Sequence, residues 1–189
     1  MNIGLYFGSF NPIHTGHLII ANHVANNTSL QQVWFVVSPQ NPLKPSSTLL
    51  NEYDRLHLVN LAIQEDPQLK ATDVEFKLPR PSYTIDTLTY LQEKYPQHVF
   101  TLIMGSDSFC NLPRWKNFNL LVKDYAFVIY KRPGFEVTDT YGAAVTILDA
   151  PFLNISSTFI RTNLQAGKSI RYLVPDKVME EMERNRYYK

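Results

Sequence analysis

The sequence predicts an α/β fold: a doubly wound sheet of parallel strands with a small helical part on its C-terminal side. Three observations point there. Strand and helix signals alternate along most of the chain, the pattern of βαβ units. The first of them, residues 3–7, is an apolar run that breaks at Gly8-Ser9-Phe10-Asn11-Pro12 and resumes as a helix. Each stretch rich in chemistry-bearing residues also follows a predicted strand. Right-handed crossovers put a ligand at that place, the carboxyl ends of the strands near the switch point in strand order.

The helix after the first strand runs from His14 through Ala25, with Ile19, Ile20 and Val24 among its apolar positions. Residues 32–38 are β-branched and aromatic and form the second strand, stopped by Pro39. Residues 39–47 hold three prolines and read as a loop. Asn51 caps a helix through Gln64 with Leu56, Val59 and Ile63 on its buried face. Residues 69–76 are a third strand, and 77–83 a loop punctuated by proline. Ser82 or Thr84 caps a helix over 85–94, in which Ile85, Leu88 and Leu91 are spaced for burial. Further strands are expected at 99–104, 124–130 and 145–148. Ser157 opens a helix, and Pro175 stands in the first turn of a last one ending near Asn185.

Size and composition set bounds on function. A chain of 189 residues, 44% hydrophobic and 13% aromatic, suits one domain over 1–189, with 155–189 as a helical subregion. The net charge of +1 lacks the basic excess of a nucleic-acid binder. Cys110 is the sole cysteine, which excludes an internal disulfide and a cysteine zinc site and reads best as a small buried apolar residue. No apolar run reaches the ~18 residues of a membrane span, and no secretion signal is recognisable at the N-terminus. The expected location is the cytoplasm, with no membrane partner.

Two stretches carry the chemistry. In the first, a strand feeds a helix through a tight loop, which turns backbone N–H groups and the positive helix end toward one point. His14 and His17, three residues apart in His14-Thr15-Gly16-His17, lie on the same side of the first turn and add donors there. A phosphate site is the better reading than a metal pair, since further ligands at metal spacing are missing. His23, His57 and His98 fall in predicted regular elements and read as structural or surface residues. The second stretch is Asn154-Ile155-Ser156-Ser157-Thr158-Phe159-Ile160-Arg161, where hydroxyls and helix-start donors again converge on an anion. Arg161 follows Ser157 by one turn and reaches the same place.

The loop after the first strand lacks the glycines of the dinucleotide fingerprint. It resembles instead the HxGH motif of the nucleotidyltransferase superfamily, and over nearly its whole length the chain looks like a bacterial nicotinate mononucleotide adenylyltransferase. Four segments resemble that family in particular: Asn41-Pro42-Leu43-Lys44; Pro81 to Leu88, an SYT-x-x-T-L element; Gly105-Ser106-Asp107 with Arg114 and Trp115; and Lys131-Arg132-Pro133-Gly134. Two departures stand at the first strand's end. Phe7 replaces a glycine of the family opening G-G-T-F-D-P, and Asn11 replaces its carboxylate.

The resemblance implies a Rossmann-like nucleotidyltransferase sheet and transfer of the AMP part of ATP to nicotinate mononucleotide, giving deamido-NAD and pyrophosphate. It implies His14, His17 and Arg161 as catalytic residues. ATP is expected on Gly8, Ser9, Phe10, His14, Gly16, His17, Gly105, Asp107, Ile155, Ser156, Ser157, Phe159 and Arg161. The mononucleotide is expected on Ser9, Lys44, Tyr83, Thr84, Asp107, Trp115 and Arg132, with Trp115 stacking on the pyridine ring. Mg2+ is expected on the triphosphate rather than on a protein metal site. ATP and the mononucleotide are then the partners, and self-association is left open. Competing readings are another HxGH adenylyltransferase, using nicotinamide mononucleotide or pantetheine phosphate, and an inactive nucleotide-binding protein.

Overall fold

The computed structural model of the chain describes residues 1–40 and 48–188. Six strands, β1 (Asn2–Gly8), β2 (Gln32–Val37), β3 (Leu69–Thr72), β4 (Val99–Gly105), β5 (Ala126–Tyr130) and β6 (Val145–Leu148), form one parallel sheet. Their order is β3-β2-β1-β4-β5-β6, so the chain winds outward one way from β1 and then the other way from β4. The switch point lies between β1 and β4, where a crevice opens at the carboxyl ends.

Helices cover both faces, and period-two alternation assigns the strand residues between them. Ile3 and Leu5 of β1, Leu102 and Met104 of β4, and Phe127 and Ile129 of β5 belong to one core. Beneath it lie α3 (Thr84–Lys94), α4 (Ser106–Cys110) and α5 (Phe118–Asp124), with Leu88, Leu91, Phe109 and Leu121 buried. Tyr6, Ile103, Val128 and Tyr130 point the other way. They meet α1 (Thr15–Asn27), α2 (Glu52–Ile63), α6 (Ser157–Gln165) and α7 (Asp176–Arg184). The C-terminal helices therefore complete a core of the sheet: Ile160, Val178 and Met182 are buried in it.

Three expectations are corrected. β3 stops at Thr72, and Val74–Lys77 is a 3-10 turn that drives Glu75 inward. Val59 and Ile63 of α2 are buried as expected, but Leu56 is only half-buried, and Arg55 and Leu58 complete the buried face. Pro175 precedes α7 as its N-cap. Among the described residues no helix is long and apolar enough to cross a membrane.

Candidate active site

A cavity of about 370 Å³ opens at the switch point, lined from the segments that follow β1, β2, β4, β5 and β6. Its lining includes Gly8, Ser9, Phe10, His14, Gly16, His17, Asp107, Arg132, Ile155, Ser156, Ser157 and Arg161. Among the described lining residues, Lys131, Arg132 and Arg161 stand against a single carboxylate, Asp107, so the cavity is cationic and suited to a polyanion.

His14 is the N-cap of α1, and its ring stacks on His17 with centroids 3.6 Å apart. The backbone N–H of His14 donates to Nδ1 of His17 at 3.3 Å, which leaves Nε2 of His17 to carry the ring proton. Gly16 permits this stack, since a Cβ there would stand 3.1 Å from the His14 ring. Phe10 supports the pair from below. At φ 45° it is in the left-handed region, costly for a bulky residue, and its ring is driven into the core 5.1 Å from that of His17. Helix-start donors count for less than the sequence suggests. The Thr15 N–H is given to the Leu173 carbonyl at 2.9 Å and the His17 N–H to the His14 carbonyl at 2.9 Å. The two imidazoles line the cavity beside Gly16.

Burial, and then the charge of Arg132, lower the His14 pKa from 6.5 to about 4. The fold thus prefers the neutral ring, and that contribution to stability is present above pH 6.5 and lost as pH falls toward 4. At about 1.4 kcal/mol per unit it amounts to about 3 kcal/mol. The stability difference between parent and His14→Gln, read by chemical denaturation, should shrink by this amount between pH 7 and pH 4. A constant difference would show that the ring is not buried neutral.

The far end of the sequence comes to the same loop. Arg161 donates to the Asn11 carbonyl at 2.7 Å and to the Thr158 hydroxyl at 3.2 Å, and the Ser157 hydroxyl donates to the Pro12 carbonyl at 2.9 Å. The Ser156 hydroxyl caps α6 by accepting from the Phe159 N–H at 3.1 Å. The Ser157 proton is therefore given to backbone, whereas Ser156, an acceptor here, keeps its own O–H to donate. The anion donors on this side are the guanidinium, the Ser156 hydroxyl and first-turn N–H groups that no intrahelical carbonyl can take.

Asp107 lies 3.9 Å from Arg132, and Gly105 makes room for it, because a Cβ there would collide with its carboxylate. Arg132 also covers the Tyr130 ring, and its backbone N–H donates to the buried Ser106 hydroxyl at 2.9 Å. Gly105 and Phe159 are outside the cavity lining, and Phe159 is 51% exposed. Tyr83, Thr84 and Trp115 are outside it too. Trp115 is half-buried against the α3–α4–α5 core, which Phe7, itself a lining residue, also touches. Lys116 lies over the Tyr83 ring at 4.8 Å and pairs with Asp86 at 2.8 Å. Lys44 falls outside the described residues. Cys110 is half-buried rather than fully buried. His23, His57 and His98 are away from the cavity lining.

Two charged groups escape a sequence reading. The Arg55 guanidinium, wholly buried, donates to the carbonyls of Ser9 at 2.6 Å, Ser38 at 2.8 Å, Pro39 at 3.0 Å and Leu50 at 2.8 Å. It binds the loop after β1 to the loop after β2. Glu75 accepts from the Ser82 hydroxyl at 2.9 Å and the Thr87 hydroxyl at 2.8 Å, so it fixes both flanks of Tyr83 and Thr84. Burial raises its pKa, opposed by the hydroxyls of Thr87, Ser38 and Ser82. The only hint of Arg55 was an arginine three and four residues before buried Leu58 and Val59; Glu75 had none.

Residues 5–163 match the family model for cytidylyltransferase-like proteins. The chain is 50% identical, over the whole of both sequences, to a probable nicotinate-nucleotide adenylyltransferase of Flavobacterium psychrophilum. It is 44% identical to one of Bacteroides thetaiotaomicron, covering 95% of this chain and 90% of that one. Among solved structures, it superposes on Plasmodium falciparum nicotinic acid mononucleotide adenylyltransferase complexed with NaAD. The TM-score is 0.84 at 22% identity, covering 99% of this chain and 97% of the other, a likeness of fold. The full-length identity to the bacterial relatives joins with an HxGH pair and a distant arginine on one cavity, and the chain belongs to the nicotinate-nucleotide adenylyltransferase family.

Proposed function

We propose that this protein transfers the AMP part of ATP to nicotinate mononucleotide, giving deamido-NAD and pyrophosphate. One observation carries the reading: α6 is tied to the loop after β1, so that Arg161 and the two histidines share a single cationic cavity. An oxygen of the mononucleotide's 5′-phosphate attacks the α-phosphorus of ATP. A new P–O–P link forms there, and the bond to the β-phosphate oxygen breaks to release pyrophosphate. The attacking oxygen is already anionic, so no general base or covalent intermediate is needed. Rate enhancement comes from holding the two phosphates in line and stabilising the charge that develops.

His14 and His17 act on the α- and β-phosphates, and Arg161 with the first turn of α6 on the β- and γ-phosphates. Asp107 accepts from a ribose hydroxyl, and Arg132, with Lys44, meets the mononucleotide's phosphate. Tyr83 and Thr84, at the start of α3, receive the nicotinate carboxylate. Among the described residues, Asp107 is the single carboxylate the cavity offers, and no group of three or more metal-ligating side chains occurs. That donor set fits a Mg2+ ion held chiefly by the triphosphate and water, where it neutralises phosphate charge. We place the reaction in the cytoplasm and read residues 1–189 as one domain.

Pyrophosphate release from ATP, measured with nicotinate mononucleotide and separately with nicotinamide mononucleotide, tests the reading. Turnover is expected with the first and at a much lower kcat/KM with the second. Release with neither, from a protein that binds ATP, would leave a nucleotide-binding protein without this activity. Trp115→Ala should raise the KM for the pyridine mononucleotide by about tenfold and that for ATP by less than twofold, since stacking contributes about 1–3 kcal/mol. Equal rises in both constants would take Trp115 out of the stacking role.

A further inference from the structure

The segment after α7 returns to the loop that follows β1. Tyr188 packs against the core on the α1–α2–α6–α7 side of the sheet, and its hydroxyl lies 2.8 Å from Oδ1 of Asn11, across 177 residues of sequence. The Leu50 N–H, which can only donate, reaches the same oxygen at 3.1 Å. That identifies the atom as the amide oxygen, makes the Tyr188 hydroxyl a donor, and turns the Asn11 amide N–H toward the Thr48 carbonyl at 2.9 Å. The side chain of Asn11, 6% exposed, is thereby held on three sides, and its own carbonyl accepts from Arg161 at 2.7 Å. A carboxylate at position 11 would set an oxygen against the Thr48 carbonyl, so this arrangement calls for the amide that distinguishes the loop from the usual family opening. Burial raises the hydroxyl's pKa, against the charges of Arg55 and Arg161 and helped by Asp54 and Tyr187, so it stays protonated at neutral pH.

We propose that Tyr188 is a positioning residue of the adenylyl-transfer site, fixing through Asn11 the carbonyl that aims the Arg161 guanidinium at the triphosphate. The proposal rests on the reading of Arg161 as a phosphate ligand. With the hydroxyl gone, the Asn11 amide and its carbonyl swing more freely, and Arg161 is presented to ATP in more than one direction.

Kinetics of the full chain in five variants test this: Tyr188→Phe, Arg161→Ala, Asn11→Ala and the two combinations of Tyr188→Phe with Arg161→Ala and with Asn11→Ala. Tyr188→Phe keeps the ring and should lower kcat/KM for ATP about 5- to 10-fold, the loss of one well-placed hydrogen bond. The KM for the mononucleotide should change by less than twofold. In the Arg161→Ala and Asn11→Ala backgrounds the same substitution should have less than a twofold effect, because coupled residues are non-additive. An equal factor in all backgrounds, or an equal rise in both KM values, would reduce Tyr188 to packing and overturn the proposal. If Arg161→Ala alone keeps the parent kcat/KM, the phosphate role of Arg161 fails and the proposal with it. Should Tyr188→Phe not fold, the Asn11→Ala single variant carries the test: it must lower kcat/KM for ATP while sparing the mononucleotide KM, and a uniform loss overturns the link.

Discussion

His17→Ala is expected to lower kcat about 10²–10³-fold, the scale on which removal of one preorganised donor acts on a developing charge. The size follows from how the ring is held. Its Nδ1 is occupied by the His14 N–H, one face stacks on His14, and Phe10 meets it edge-on from the core. A donor held at so many points loses little freedom when the transition state forms, so most of its interaction is realised as rate. Substrate binding should suffer less than turnover, with KM for ATP rising a few-fold, because the other phosphate contacts remain. His17→Gln offers an amide donor without the ring stack and should recover roughly a tenth to a third of the loss. Single-turnover kinetics, with circular dichroism to verify folding, separate chemistry from product release. A folded His17→Ala protein with turnover near that of the parent would remove the ring from the reaction centre.

The parts of this molecule that were legible in its sequence are those governed by repetition or by local punctuation. Apolar runs such as the one in β1 marked the strands, because a parallel strand covered on both faces has no polar side to hide. Gly8, Asn11 and Pro12 marked the loop, and the chemistry-bearing stretches at its end and before α6 stood out as strand-to-helix turns. What stayed illegible were buried polar groups satisfied by partners far along the chain. Arg55 looks like any helix arginine until Ser9 and Ser38 are folded over it. The Ser157 hydroxyl looks like an anion donor until the Pro12 carbonyl, 145 residues away, takes it. Glu75 sat in what read as a strand, and only the 3-10 turn after β3 directs it onto Ser82 and Thr87. Hydrophobic periodicity encodes which side of an element is buried; it does not encode which carbonyl a buried donor will meet.

That distinction makes Arg55 the most consequential side chain outside the cavity. Arg55→Met conserves most of the buried volume, so it leaves little cavity and isolates the loss of the guanidinium's hydrogen bonds. Four backbone carbonyls then lose their donor, in a place where the Arg55 side chain itself excludes water. Hydrogen bonds to a charged group contribute about 1.5–3 kcal/mol each and are not additive, so a total near 4 kcal/mol is expected. At about 2–4 °C per kcal/mol for a chain of this size, the melting temperature should fall by roughly 10 °C or more. Arg55→Lys supplies one compact ammonium with three donors in place of the planar fork, and should recover about half. Activity should fall beyond what unfolding explains, since Ser9 lines the cavity and Leu50 holds the Asn11 amide. At a temperature where Arg55→Met is fully folded, kcat/KM for ATP is expected to drop about tenfold or more. A melting temperature within 3 °C of the parent would mean that water or neighbouring donors replace the guanidinium, and that the loops after β1 and β2 hold their places without it.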